Sequence, residues 1–404
     1  MPQPPSSVVL DRRLVGWLSL AQLISWGSVF YTFSLLMEPV ERELGLTRTQ
    51  SSLAFSLALL VEGLLAYPVG RWIDRGHERA VMAGGSLLTG ACLVTHSQVQ
   101  GMAGLYAVWI GLGAGMAATL YTPVFAVVTR RFPLDFRRAI ITLTFLGGLA
   151  STVFIPLSAW LIDGLGWRQA LWVLAALHLA VCAPLHALAL RGAPAPLGGG
   201  APGPSCSAGH AMGKHLRSAP FLLIGLFLVA MMAVAAALPP HPISLLRESG
   251  LSEAWVIAIP ASIGLIQVSG RLLLFFFERH FDLHLANRLI PCLIPLGLMA
   301  LLAGAGHPAA GLLFVLLYGL GNGMLTIVKG TAIAQYVSRE HVASLNGALG
   351  LPSALARALA PLLLGVLWTA QAGYRAGLWM LLVLSVLAVA ALLLAQRRAP
   401  ALVT

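Results

Sequence analysis

Apolar runs as long as a bilayer is thick follow one another along this chain, and very few charged side chains interrupt them. Only 10% of its 404 residues are charged while 58% are apolar, against about 25% and 45–50% in ordinary soluble domains. So few charges cannot wet the surface of two soluble domains, and a mean hydropathy of +0.86 makes lipid the main solvent. With about 20 residues per span, the sequence predicts twelve helices. They fall near Leu14–Met37, Ser51–Val69, Val81–Ser97, Gly104–Val128, Ala139–Ile162 and Gln169–Leu190. A second set falls near Ala219–Leu238, Glu253–Phe277, Leu289–Ala305, Ala309–Tyr336, Ala343–Thr369 and Gly377–Ala395. The expected class is an all-α membrane protein of two six-helix bundles. The division is 1–190, a linker 191–218 and 219–404, because APAPLGGGAPGPS between the sets is Pro/Gly/Ser-rich and cannot pack a core. Asp11-Arg12-Arg13 precedes an apolar run far longer than the core of a secretory signal, so no cleaved leader is expected.

The net charge of +11 speaks first about topology, because Lys and Arg collect on cytoplasmic loops. Of the 25 basic residues, Arg42, Arg48, Arg168, Arg247 and Arg375 fall at span ends on one side. Lys329 and Arg357 lie within spans, and nearly all the rest lie on the side of the termini and linker. Both termini are therefore expected in the cytoplasm, with a bacterial inner membrane as the setting. Cys92, Cys182, Cys206 and Cys292 show no paired spacing, so they read as small hydrophobes, not as a disulfide or metal framework.

The two halves also resemble each other. GLGAGM at Gly111–Met116 returns as GLGNGM at Gly319–Met324, and LGWRQALW at Leu165–Trp172 returns as AGYRAGLW at Ala372–Trp379. Pro156 and Pro361 repeat in the same register, as do the acid–Arg pairs Asp74-Arg75 and Glu278-Arg279. Four landmarks in one order, at offsets of 204–208 residues, indicate parallel repeats about an axis along the membrane normal.

The stretch GRWIDRGHER, Gly70–Arg79, resembles the loop motif between the second and third helices of the major facilitator superfamily. It departs from that motif at His77-Glu78, where Gly-Arg is more usual. With the linker, the repeat and the spans, the resemblance covers nearly the whole chain. It implies secondary transport by rocking of two six-helix halves around a mid-membrane site, with Asp74 and Arg75, and Glu278 and Arg279, in gating roles. Within the superfamily, ISWGSVFYTFSLL in the first span and QVSGRLLL in the eighth resemble the oxalate/formate exchanger and monocarboxylate porter branch. That resemblance implies a carboxylate held by an arginine of the eighth helix, and Arg271 is the match. The fifth span's GGLASTVFIP lacks the Gly-Pro-x-x-Gly-Gly character of proton-coupled drug exporters.

Four ionisable groups read as lying at depth: Glu62, Arg271, Lys329 and Arg357. Each costs about 2.5–3.5 kcal/mol at mid-span if unpaired, so they face a cavity or one another. Arg271 copies the end-of-helix Gly70-Arg71 only at an offset of 200, outside the repeat register. It reads as a substrate contact or as a snorkelling arginine. Glu62 is a proton-coupling carboxylate or the lasting partner of a base. Arg357, four residues before Pro361, is a substrate or gate contact, and Lys329 a substrate contact or a snorkelling cation. Gln267 falls opposite Glu62 in the repeat and Tyr121 opposite Lys329. Asn322 serves either the substrate or interhelical hydrogen bonding, and Trp26 and Tyr31 either line the cavity or pack. The alternating glycines of GLGAGM and GLGNGM read as close-packing surfaces.

Three bases against one acid leave a positive surplus, and low-dielectric walls then draw in anions. The expected cargo is a small mono- or dicarboxylate, moved by a symporter or antiporter that is proton-coupled or exchanging, with Arg271 and Arg357 offering bidentate guanidinium geometry. The alternative is proton-coupled efflux of drugs or metabolites. No cofactor, metal or enzymatic constellation is expected. Membrane lipid and the anion are the expected partners, a monomer suffices, and the spread of basic residues over loops argues against nucleic acid.

Overall fold

The computed structural model describes residues 11–132, 135–192, 216–277, 288–304, 306–337, 345 and 348–398; most of the 191–218 linker, and Glu278 and Arg279, lie outside them. The described structure is helical, apart from one short bridge between Thr369 and Gly373. Helix α1 (Arg12–Leu44) is continuous through a π-helical stretch at Trp26–Tyr31. Helices α2 (Arg48–Trp72) and α3 (Glu78–His96) are joined by a kinked segment, Ile73–His77. Then come α4 (Met102–Arg131), α5 (Phe136–Gly148, continued by Ala150–Leu165) and α6 (Trp167–Ala189). Beyond the linker lie α7 (Ala219–Ala237), the short α8 (Pro242–Glu248), α9 (Glu253–Phe277), α10 (Ile290–Ala303), α11 (Pro308–Tyr336), α12 (Gly350–Val366) and α13 (Arg375–Arg398).

Among the described residues nine helical runs are long and apolar enough to cross a membrane. One of them, Arg48–His96, holds both α2 and α3, and α10 and α12 are shorter apolar helices, which together account for the twelve spans expected.

Local chemistry explains the helix ends. Asp11 accepts hydrogen bonds from the amides of Arg13 and Leu14 and so caps α1. Thr47 and Gln50 form a reciprocal capping box at the start of α2: the Thr47 hydroxyl accepts from the Gln50 amide and the Gln50 side chain accepts from the Thr47 amide. The turn between α2 and α3 needs a left-handed residue, and Gly76 supplies it with φ 88°.

The chain packs as two compact units: Met1–Thr32 with Val61–Gly199, and Phe33–Leu60 with Gly200–Thr404. The division thus falls inside the continuous helices α1 and α2. In unit 1, Leu14, Leu18, Ile73, Met82, Val124, Val127 and Leu143 pack into a buried core drawn from α1, the start of α3 with the segment before it, α4 and α5.

Unit 1 also carries a buried ionic clamp. Glu78 is fully buried and pairs with Arg131 at 2.5 Å and with Arg130 at 3.5 Å. Arg131 further donates to the carbonyls of Leu190 and Arg191, and Arg130 to that of Ile73. The residue at which the loop departs from the familiar motif is thus the one that binds the loop down, while Asp74 and Arg75 are exposed. A Cβ at Gly70 would meet open space, so this glycine is not a close-approach point.

Candidate substrate and coupling sites

The residues singled out in the sequence divide between the units. Unit 1 holds Trp26, Tyr31, Glu62, Tyr121, Asp74 and Arg75; unit 2 holds Gln267, Arg271, Asn322, Lys329 and Arg357.

In unit 1 the π stretch of α1 sets Trp26 against α4. The Trp26 ring lies 4.9 Å from Tyr121 and 4.9 Å from Phe30, Phe30 meets Tyr31 edge-on at 5.4 Å, and Tyr121 stacks on Phe125 at 5.2 Å. Trp26 and Tyr121, chosen separately in the sequence, therefore share one aromatic cluster. The indole N–H of Trp26 is buried and has no partner among the described residues. A π stretch inside an α-helix is a feature enriched at functional sites. Thr32 closes it by donating through both its amide and its hydroxyl to the carbonyl of Gly27. Glu62 sits on α2 and is 8% exposed.

In unit 2, Arg271 on α9 and Arg357 on α12 are half-buried. Gln267, one turn before Arg271, is buried where α9 meets α11: a Cβ at Gly323 would lie 2.8 Å from the Gln267 Cα. Asn322, beside that glycine, is half-buried. Lys329 belongs to α11, with its side chain outside the described residues. The alternating glycines pack as expected, since a Cβ at Gly111 would collide with Cys92 Sγ and one at Gly319 with Ile266.

Sequence reasoning missed a dense polar cluster of unit 2. Arg48, 8% exposed, pairs through Nε with Glu41 at 3.1 Å and through Nη2 with Glu248 at 3.7 Å. Its Nη1 donates to the phenol oxygen of Tyr374 at 2.6 Å, and its guanidinium lies 5.1 Å over the Trp368 ring. Trp368 Nε1 donates to Glu248 at 2.9 Å. The tight loop Thr369–Gly373, closed by a 2.8 Å backbone bond, sets Trp368 and Tyr374 side by side. Nearby, Arg247 bridges Glu38 and Glu253. Burial holds the Glu248 carboxyl above the usual range. Burial also raises the Tyr374 phenol, against the opposing pull of Arg48. Hydrogen bonding to Glu253 holds the Arg247 guanidinium still further up. One signal was present: Arg48 and Arg247 were among the few basic residues on the minority side.

Comparison with known proteins follows this geometry. The family model of the Major Facilitator Superfamily matches residues 18–286. The chain is 29% identical over 368 residues to monocarboxylate transporter 13 of Bos taurus, covering 85% of this chain and 80% of that one. It is 32% identical over 174 residues to an MFS-type efflux pump of Mycolicibacterium smegmatis, covering 42% of this chain and 40% of that one. Among solved structures, a bacterial homologue of the human lysosomal transporter Spinster, inward-facing and occupied, superposes with a TM-score of 0.74 at 16% identity, covering 95% of this chain and 96% of that one. The nucleoside transporter NupG superposes with a TM-score of 0.72 at 16% identity, covering 95% and 98%.

Proposed function

We propose that this chain, which belongs to the Major Facilitator Superfamily and is a multi-pass secondary transporter and not an enzyme, carries small organic anions, mono- or dicarboxylates, by alternating access. The observation that carries the reading is the pair of guanidinium groups held half-buried within spans of unit 2, Arg271 and Arg357. A planar, permanently charged fork in a low-dielectric setting matches a carboxylate. The bovine relative, a monocarboxylate transporter matched over most of both chains, supports the same class. In this reading Arg271 binds the carboxylate and Arg357 assists. Gln267, Asn322 and Lys329 are further substrate contacts in unit 2, and Trp26, Tyr31 and Tyr121 are substrate contacts in unit 1. Glu62 couples protons or gates, with Asp74, Arg75, Glu278 and Arg279 in gating roles. Both termini face the cytoplasm of a bacterial inner membrane, the two bundles correspond to 1–190 and 219–404 with 191–218 as linker, and a monomer suffices.

Uptake of labelled mono- and dicarboxylates into proteoliposomes, with and without a pH gradient, tests this. Losing one partner of a desolvated charge pair costs about 2–5 kcal/mol, so Arg271→Ala is expected to weaken apparent affinity by at least about tenfold. Undiminished transport by that variant removes Arg271 from the site. The match to a mycobacterial efflux pump favours a second reading, export of drugs or metabolites. Competition by hydrophobic cations, with none by carboxylates, would select it.

A further inference from the structure

The polar cluster at Arg48 has no part in the substrate reading, and its hydrogen bonds run in one direction. His241 is fully buried where the turn Leu238–His241 enters α8, with Pro242 as the first helical residue. Its Nε2 lies 3.1 Å from the carbonyl oxygen of Pro361 in α12, and its Nδ1 lies 3.1 Å from the Tyr374 phenol oxygen. A carbonyl only accepts, so Nε2 carries the hydrogen; in the neutral ring Nδ1 then has a lone pair and takes the phenolic O–H. The phenol oxygen is left to accept from Arg48. Donation therefore passes from Arg48 to Tyr374, from Tyr374 to His241, and from His241 to Pro361.

Arg48 belongs to the helical hairpin Phe33–Leu60, and its partner Tyr374 and the other members of the relay belong to the rest of unit 2. The hairpin is further seated by Thr49, which donates to the Gly365 carbonyl, and by Met37, which receives the Ser244 hydroxyl. We propose that the Arg48–Tyr374–His241 relay is a proton-linked latch: His241 is neutral while the hairpin is docked and takes up one proton at Nδ1 when it detaches.

The geometry makes docking and protonation compete. A proton on Nδ1 would aim an N–H at a phenol oxygen that already receives the Arg48 N–H, and would set an imidazolium one phenol away from a guanidinium. The groups around the ring are Arg48 from α2, Glu41 from α1, Glu248 and Ser244 from α8, Tyr374 before α13 and the Pro361 carbonyl from α12. Glu41 and Glu248 are engaged on other nitrogens of Arg48, and the hydrogen-bond partners of the imidazole are the phenol and the carbonyl. Burial holds the docked imidazole down to about 3, with Arg48 pushing the same way and the Pro361 bond opposing. On release the phenol is free to accept and the Arg48 push is gone, so the imidazole titrates above its docked value, toward the usual 6.5. The docked form is thus favoured at high pH and loses ground, by up to about tenfold per unit, as the pH falls through that window. The proton comes from solvent on release and returns there on docking.

The inference rests on the transporter reading only in treating release of the hairpin as a step of the cycle, and its test reads accessibility, not flux. Met37, a hairpin residue 2% exposed in the docked form, is changed to Cys in a chain whose Cys92, Cys182, Cys206 and Cys292 are replaced by Ala. Labelling by a maleimide is followed in detergent, each rate divided by that of SDS-denatured protein at the same pH. The normalised rate is expected to rise severalfold from pH 8 to 5.5. In His241→Gln the rise is expected to vanish, because the amide still donates to the carbonyl and accepts from the phenol but binds no proton. Tyr374→Phe, which keeps the histidine and cuts the relay, is expected to label faster at pH 8. No rise in the parent, an unchanged rise in His241→Gln, or a parental rate at pH 8 in Tyr374→Phe overturns the latch. Anion uptake by a chain that fails these tests would leave the transport reading standing.

Discussion

Single residues carry most of their weight here through burial without solvent. Glu78 is the sharpest case: fully buried, it compensates two guanidinium groups that also hold three backbone carbonyls. Breaking a buried pair from one side leaves uncompensated charge and costs about 3–5 kcal/mol. Glu78→Ala is therefore expected to destabilise more than Arg131→Ala, since it takes a carboxylate partner from both arginines; thermal unfolding in detergent ranks the two. Gly70→Ala should be neutral or stabilising, because the added methyl meets open space and alanine favours a helix interior by about 0.5–1 kcal/mol. Legibility at this scale followed sequence context. Arg271 and Arg357 stand out because a charge inside an apolar run is anomalous wherever the chain folds. Arg48 and Tyr374 lie 326 residues apart, each at a span end where polar residues are ordinary. Nothing local marks that pair, and it exists only once α2 and the start of α13 are packed.

Among the elements, α1 and α2 are legible in hydropathy as spans, whereas the packing boundary that runs through them is not. Hydropathy reports which segments prefer lipid and is blind to which neighbours they choose, so Phe33–Leu60 gave no sign of packing with Gly200–Thr404. The π stretch Trp26–Tyr31 ends one residue before that division, a place where backbone geometry is already irregular. The seat of the hairpin is equally specific. A Cβ at Gly365 on α12 would lie 2.7 Å from Ser52 Cβ and 3.2 Å from the Arg48 carbonyl oxygen, so a methyl there must push the hairpin away. Overpacking of this kind costs about 1–3 kcal/mol. Gly365→Ala is expected to raise maleimide labelling at Met37→Cys at all pH values without altering the midpoint of its pH dependence, which separates wedging from proton linkage.

At the level of the whole molecule, the fold was legible because two independent signals agreed: run length and the internal repeat. Superposition on distant transporters at 16% identity shows how little of a sequence is needed to keep such a fold. Orientation is open to direct measurement. Exposed Gln100 and Arg75 fall on opposite sides in the proposed topology. Gln100→Cys is expected to react with an impermeant thiol reagent in intact cells, and Arg75→Cys only after permeabilisation. The reverse pattern inverts the assignment of the termini.

The sequence repeat turns over near residue 200, whereas the packing assigns Phe33–Leu60 to the unit that begins there. Inheritance and cohesion are therefore out of step by one hairpin. A gene cut at the linker would yield a first fragment with a hairpin stripped of its neighbours, baring Phe33, Met37, Phe55 and Leu59, all nearly or fully buried in the intact chain. Such halves are expected to reassemble when co-expressed and to be degraded when made alone, with the first fragment the more dependent on its complement.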